Sequence, residues 1–204
     1  MADFTAKDVQ ALRQATGAGM MDAKNALVEM GGDMEKAADY LRETGVASVA
    51  KRSGRDQSEG VVGVYMHNQA GRPVIGVLIG LASETDFVAK NAEFIETAND
   101  IAMHAAASRP QWLSRDDVPE DEVAKEKELI AAQARNEGKP DQIVEKIVDG
   151  RIGSFYKENV LLDQVFVRSD RFEGTVGDMV QQLAARMGEN ISVSSMARVA
   201  IGEG

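Results

Sequence analysis

The segment from Val61 to Ala82 constrains this chain more than any other. Val61-Val62-Gly63-Val64-Tyr65-Met66 runs into the turn signal Asn68-Gln69-Ala70-Gly71, and Pro73 to Ala82 then forms the most apolar run of the sequence. Two apolar runs joined this tightly predict an antiparallel hairpin. The polar turn Ser83-Glu84-Thr85-Asp86 leads out of the second strand, and Phe87 and Val88 follow before charge returns at Lys90. A large ring at the tip of a polar turn either folds back into the core or serves as a contact for another molecule.

The fifty residues before the hairpin read as short helices. Thr5 is an N-cap with Asp8 in the first turn, and Val9 and Leu12 open an apolar stripe. Gly17-Ala18-Gly19 breaks this helix, a second runs from about Met20 to Met30, and Gly31-Gly32 stops it. Asp33 caps a third, with Ala37, Tyr40 and Leu41 inward and the stripe continuing to Ala47 and Val49. Helices this short are marginal alone, so they have to pack as a small bundle. The polar, Gly-containing stretch Lys51–Glu59 reads as a linker, which divides the chain into domains at 1–54 and 55–204. Beyond the hairpin, Asn91 caps a helix with Phe94, Ile95, Ala98, Ile101, Ala102 and Ala105 on one face. Charged helical segments follow over about 115–157, with Pro119 and Pro140 at their starts. Thr175 begins another helix (Met179, Val180, Leu183 and Met187 inward, Gly188 its stop), and Met196 to Ile201 reads as a last strand. The sum is an α+β fold, three N-terminal helices followed by a small antiparallel sheet packed with helices.

Composition removes several functions. Net charge is −10, which opposes binding to nucleic acid, and the absence of cysteine excludes thiol catalysis and Cys-ligated zinc. No stretch approaches a membrane-spanning length and the N-terminus has no apolar leader, so the expected setting is the cytoplasm. There is no phosphate-binding P-loop, and Gly17-Ala18-Gly19 follows a helix where a dinucleotide motif needs a strand. His67 and His104 are the only histidines, and neither has a neighbour at metal-ligand spacing. A metal or triad role for them requires distant partners. The acids Asp116, Asp117, Glu120, Asp121 and Glu122 lack the glycine and ligand order of a calcium loop and read as a solvated helix start. The chain is thus expected to be no enzyme and to hold no cofactor or metal. What stands out is apolar and surface-like: Met20-Met21 beside the Gly-Ala-Gly turn, and Phe87-Val88. Each pair either fills the core or recognises a protein.

Three stretches carry a resemblance. "LRQATGAGMMDAKNAL" (Leu12 to Leu27), "TDFVAKN" (Thr85 to Asn91) and "EGKPDQIVEKIVDGRIGSFYKENVLLDQVF" (Glu137 to Phe166) are similar, in this order, to bacterial elongation factor Ts, in the short form with one core repeat. The resemblance implies a guanine-nucleotide exchange factor for the translational GTPase elongation factor Tu. It implies an N-terminal domain of the ubiquitin-associated (UBA-like) type that grips the GTPase, with Leu12, Met20 and Lys24 in the gripping surface. It further implies that Thr85, Asp86, Phe87 and Val88 intrude near the GTPase's magnesium site, Asp86 acting by charge or by capping a turn. Short members of that family dimerise through the core sheet, so a homodimer is expected. The competing readings are an interaction module unrelated to translation, or a small-molecule enzyme using a histidine.

Overall fold

The computed structural model describes residues 4–16 and 18–202, and the side chains of these except residues 46–48 and 50. The elements run α1 (Ala6–Thr16), α2 (Met20–Glu29), α3 (Met34–Ala50), β1 (Glu59–Gln69), β2 (Arg72–Ser83), α4 (Asp86–Ala89), α5 (Ala92–Ser108), α6 (Glu120–Asn136), α7 (Asp141–Asn159), α8 (Val176–Met187) and β3 (Ser192–Ala200). The molecule is α+β: three N-terminal helices, then a three-stranded antiparallel sheet in the order β1-β2-β3 with helices around it. By compactness the chain falls into two units. One comprises the chain through Val61 with Leu81–Ile95 and Val180–Ser192; the other comprises Val62–Gly80, Glu96–Met179 and the chain from Val193.

In the first unit the helix ends follow the caps. The Asp8 carboxylate accepts from the Thr5 backbone N–H at 2.6 Å and its hydroxyl at 2.7 Å, and the Asp8 N–H donates back to Thr5 Oγ1. Asp33 Oδ1 accepts from the Lys36 N–H at 3.1 Å, and Gly31 takes φ +66° after α2, where a Cβ would be strained. Gly17, in the expected break after α1, lies outside the described residues, as does the Ala47 side chain. Val9, Leu12, Ala23, Ala26, Leu27 and Ala37 form the buried centre of the bundle, with Phe4, Met30, Met34, Tyr40 and Leu41 packed around it. Alanines on the inner faces let the helices approach closely, and burying Leu12 and Leu27 contributes roughly 1.5–3 kcal/mol each. The end of α3 lies against α8, since a Cβ on Gly45 would be 3.3 Å from Ala185 Cβ. The polar stretch Lys51–Glu59 is tied down: Asn190 Nδ2 donates to the Arg55 carbonyl at 2.8 Å, and the Ser192 hydroxyl donates to Gln57 Oε1 at 2.7 Å.

In the second unit β2 is the middle strand, with Val77 and Ile79 buried beneath it. Helix α5 crosses close over β1. A Cβ on Gly63 would stand 2.2 Å from the Ala98 carbonyl oxygen, and the Val64 N–H donates to Asn99 Oδ1 at 2.9 Å. Ala98, Ile101, Ala102 and Ala105 of α5 are buried as expected, but Ile95 is exposed. It sits about 100° around the helix from Phe94 and falls on the flank of the stripe. On the opposite side of the sheet Val62, Val64, Met66, Leu78 and Val199 are all exposed. Strand β3 begins at Ser192, four residues before the expected Met196. Its serines carry no apolar signal, yet they fit the space over Gly80, where a Cβ would lie 2.4 Å from Ser195 Oγ. Pro119 and Pro140 are the N-cap residues of α6 and α7 rather than members of the first turn.

Candidate functional site

The turn after β2 is a single amphipathic helical turn. Thr85 is its N-cap, with Oγ1 accepting from the Val88 N–H at 3.4 Å, and the Lys90 N–H closes it on the Asp86 carbonyl at 3.0 Å. Successive helical residues point about 100° apart, so this turn cannot bury all of Phe87, Val88 and Ala89. Val88 and Ala89 are buried and anchor it, while Phe87 is 83% exposed. The ring has not folded back into the core. Capping falls to Thr85, so Asp86 offers charge: its carboxylate meets Lys90 Nζ at 2.6 Å, and this partner holds it below the usual carboxylate range. As a surface ion pair it adds little stability.

Two crossed carboxylates hold the base of the turn. Glu189 Oε2 accepts from the N–H groups of Glu84 and Thr85 at 3.0 and 3.1 Å, and its Oε1 accepts from the Thr85 hydroxyl at 2.5 Å. In return Glu84 Oε1 accepts from the Asn190 N–H at 2.6 Å, and Arg55 stands 3.4 Å from the same carboxylate. Sequence reasoning does not find this arrangement, because a glutamate after a helix stop gives no local sign of a partner 104 residues away.

The second candidate surface lies on α2. Met20, Met21, Lys24 and Val28 are exposed, while Ala23, Ala26 and Leu27 of the same helix are buried. Met20, Lys24 and Val28 recur every four residues and so share a face. Both methionines point outward, and Val28 joins them although the sequence reading passes over it. Leu12 is 1% exposed and sits in the bundle core with Ala23, Ala26 and Leu27, beneath the exposed face of α2 rather than on it. Val88 stands in the same relation to Phe87.

The histidines assemble no site. His67 is exposed and stacks on Tyr65, with ring centroids 6.4 Å apart. His104 is fully buried: it is paired through Nε2 with Gln164 Oε1 at 2.9 Å, and its Nδ1 accepts from the Val167 N–H at 3.3 Å. Among the described residues no group of three or more His, Asp or Glu is placed to hold a metal ion. No described helix is long and apolar enough to cross a membrane.

Fold and site together define a class: an α+β protein whose distinguishing features are apolar side chains held out in water on braced supports, without an assembled metal centre among its described residues. The family described as Elongation factor TS matches residues 3–203. The chain is 52% identical over 201 residues to elongation factor Ts of Moorella thermoacetica, covering 98% of this chain and 97% of that one. It is 50% identical over 204 residues to the Desulforamulus reducens protein of the same name (100% and 92% covered), and 48% identical over 201 residues to that of Fervidobacterium nodosum (98% and 100%). The chain belongs to the elongation factor Ts family and is a translation elongation factor of that family.

Proposed function

We propose that the protein is the guanine-nucleotide exchange factor of elongation factor Tu, binding the GDP-bound and nucleotide-free GTPase in the cytoplasm and promoting GDP release without catalytic chemistry or a cofactor of its own. The observation that carries this is the 83% exposed Phe87 on a capped and braced turn. Full burial of such a ring in a partner supplies roughly 1.5–3 kcal/mol. Linkage then requires that whatever weakens GDP when the factor binds weakens the factor equally when GDP binds. Thr85, Asp86, Phe87 and Val88 form the intruding element that disturbs the magnesium and phosphate contacts. In it Thr85 and Val88 are the frame, Phe87 the wedge and Asp86 the charge. Residues 1–54 form a UBA-like gripping domain, its contact face made by Met20 and Lys24 with Leu12 behind them. Neither nucleic acid nor membrane is a partner, in keeping with the net charge of −10.

The test is release of a fluorescent GDP analogue from elongation factor Tu, chased with unlabelled nucleotide. Wild-type protein accelerates release, and Phe87→Ala loses about tenfold or more of the acceleration. No acceleration by the wild type would sink the reading.

A further inference from the structure

We propose that Glu189 is the positioning residue of the Phe87 turn, fixing the bearing of the ring from the opposite loop; the inference rests on the exchange reading above. An exposed ring takes no orientation from packing, so the backbone beneath it has to supply one. All three donors that converge on the Glu189 carboxylate belong to Glu84 and Thr85, the two residues that lead into α4. The Thr85 hydroxyl has one proton. Donated to Glu189 Oε1, it leaves the oxygen's lone pairs directed at the Val88 N–H, so Glu189 sets the rotamer of the cap that starts the turn. The Glu84 carboxylate, bound to the Asn190 N–H, fastens the two loops a second time in the reverse sense. Asn190 itself is held on the Arg55 and Ser53 carbonyls. With the turn held before docking, less freedom is lost when Phe87 enters its pocket.

The chemistry selects a carboxylate. Three donors need an acceptor at both oxygens, which Glu provides and Ala does not. Gln keeps one oxygen for the two backbone N–H groups and turns its amide N–H toward Thr85, whose hydroxyl re-orients to accept. Loss of function should therefore follow the order wild type, Glu189→Gln, Glu189→Ala.

The experiment is GDP release from elongation factor Tu with the full chain, as a double-mutant cycle between positions 189 and 87. Glu189→Ala should lower the acceleration about tenfold and Glu189→Gln about threefold or less, and Glu189→Ala should have no further effect on top of Phe87→Ala. Thr85→Val and Thr85→Ser, which delete and keep the hydroxyl, provide the same comparison should Glu189→Ala not fold. A 4-fluorophenylalanine placed at position 87 gives a readout without the partner: its fluorine line should broaden or shift in Glu189→Gln. Wild-type acceleration by Glu189→Ala, or an equal loss with and without the Phe87→Ala substitution, overturns the proposal. Full exchange by Phe87→Ala removes Phe87 as the wedge, and absence of acceleration by the wild type removes the exchange reading; in either case the fluorine line alone decides for or against the brace.

Discussion

Phe87 and Phe94 stand seven positions apart and live under opposite rules. Phe94 is fully buried, and its truncation to Ala should cost about 3–5 kcal/mol with a clear fall in melting temperature. Phe87→Ala removes a ring already in water, so thermal melting followed by circular dichroism should move by about one or two degrees at most. A large drop would return that ring to the core. His104 gives a second residue-scale prediction. Burial pushes its pKa below the ordinary 6.5, with the Gln164 hydrogen bond opposing. The groups around it are the Gln164 amide, the Val167 N–H and the Phe166 ring, with centroids 5.8 Å apart. Protonating Nδ1 would set two donors face to face. The folded pKa is depressed, so the unfolded chain takes up the proton first as pH falls. The histidine's contribution is therefore whole above the ordinary value and is lost as pH drops below it. Urea denaturation at about pH 7 and about pH 5.5 should show a larger loss of stability in the wild type than in His104→Gln. Equal losses would remove His104 from the account.

At the scale of elements, two glycines separate propensity from packing. Gly150 lies within α7, and a Cβ added there would meet nothing within 4 Å, so Gly150→Ala should stabilise the protein by about 0.5–1 kcal/mol in chemical denaturation. Gly63→Ala has to push the Ala98 carbonyl off β1 and should cost about 3 kcal/mol or more. A stabilising result there would mean that α5 does not cross β1 so closely. Much of this architecture is legible locally, because a cap oxygen and the backbone N–H it accepts from lie three residues apart: Thr5 with Asp8, Asp33 with Lys36, Thr175 with Asp178. The hairpin is legible for the same reason, its turn at Ala70 and Gly71 taking φ of +50° and +80° between the strands. What escapes is non-local. Ser192 to Ser195 read as loop until Gly80 is seen opposite them, and nothing near Glu189 announces that it holds Thr85. The exposed ring is legible as a question, and the helical phase of Val88 answers it.

At the scale of the molecule, the sheet keeps one face in water that a soluble sheet would ordinarily cover. Val62, Val64, Met66, Leu78 and Val199 are each at least 47% exposed, a patch suited to a symmetric partner of the same kind. Light scattering should give twice the chain mass of 22.0 kDa, and Leu78→Lys should restore the single mass. A wild type that scatters as one chain across micromolar concentrations would end the dimer proposal. The sheet also dictates an order of events. The β1–β2 hairpin closes within about 1–10 μs, since its strands are neighbours in sequence. Ser194, which donates to the Gly80 carbonyl across the next pair, is 114 residues further along. Until β3 arrives, β2 holds an unpaired edge, the kind of surface on which nascent chains mispair. The slow step in maturing this unit is then the homecoming of its last strand, and the helices between are what shorten the search.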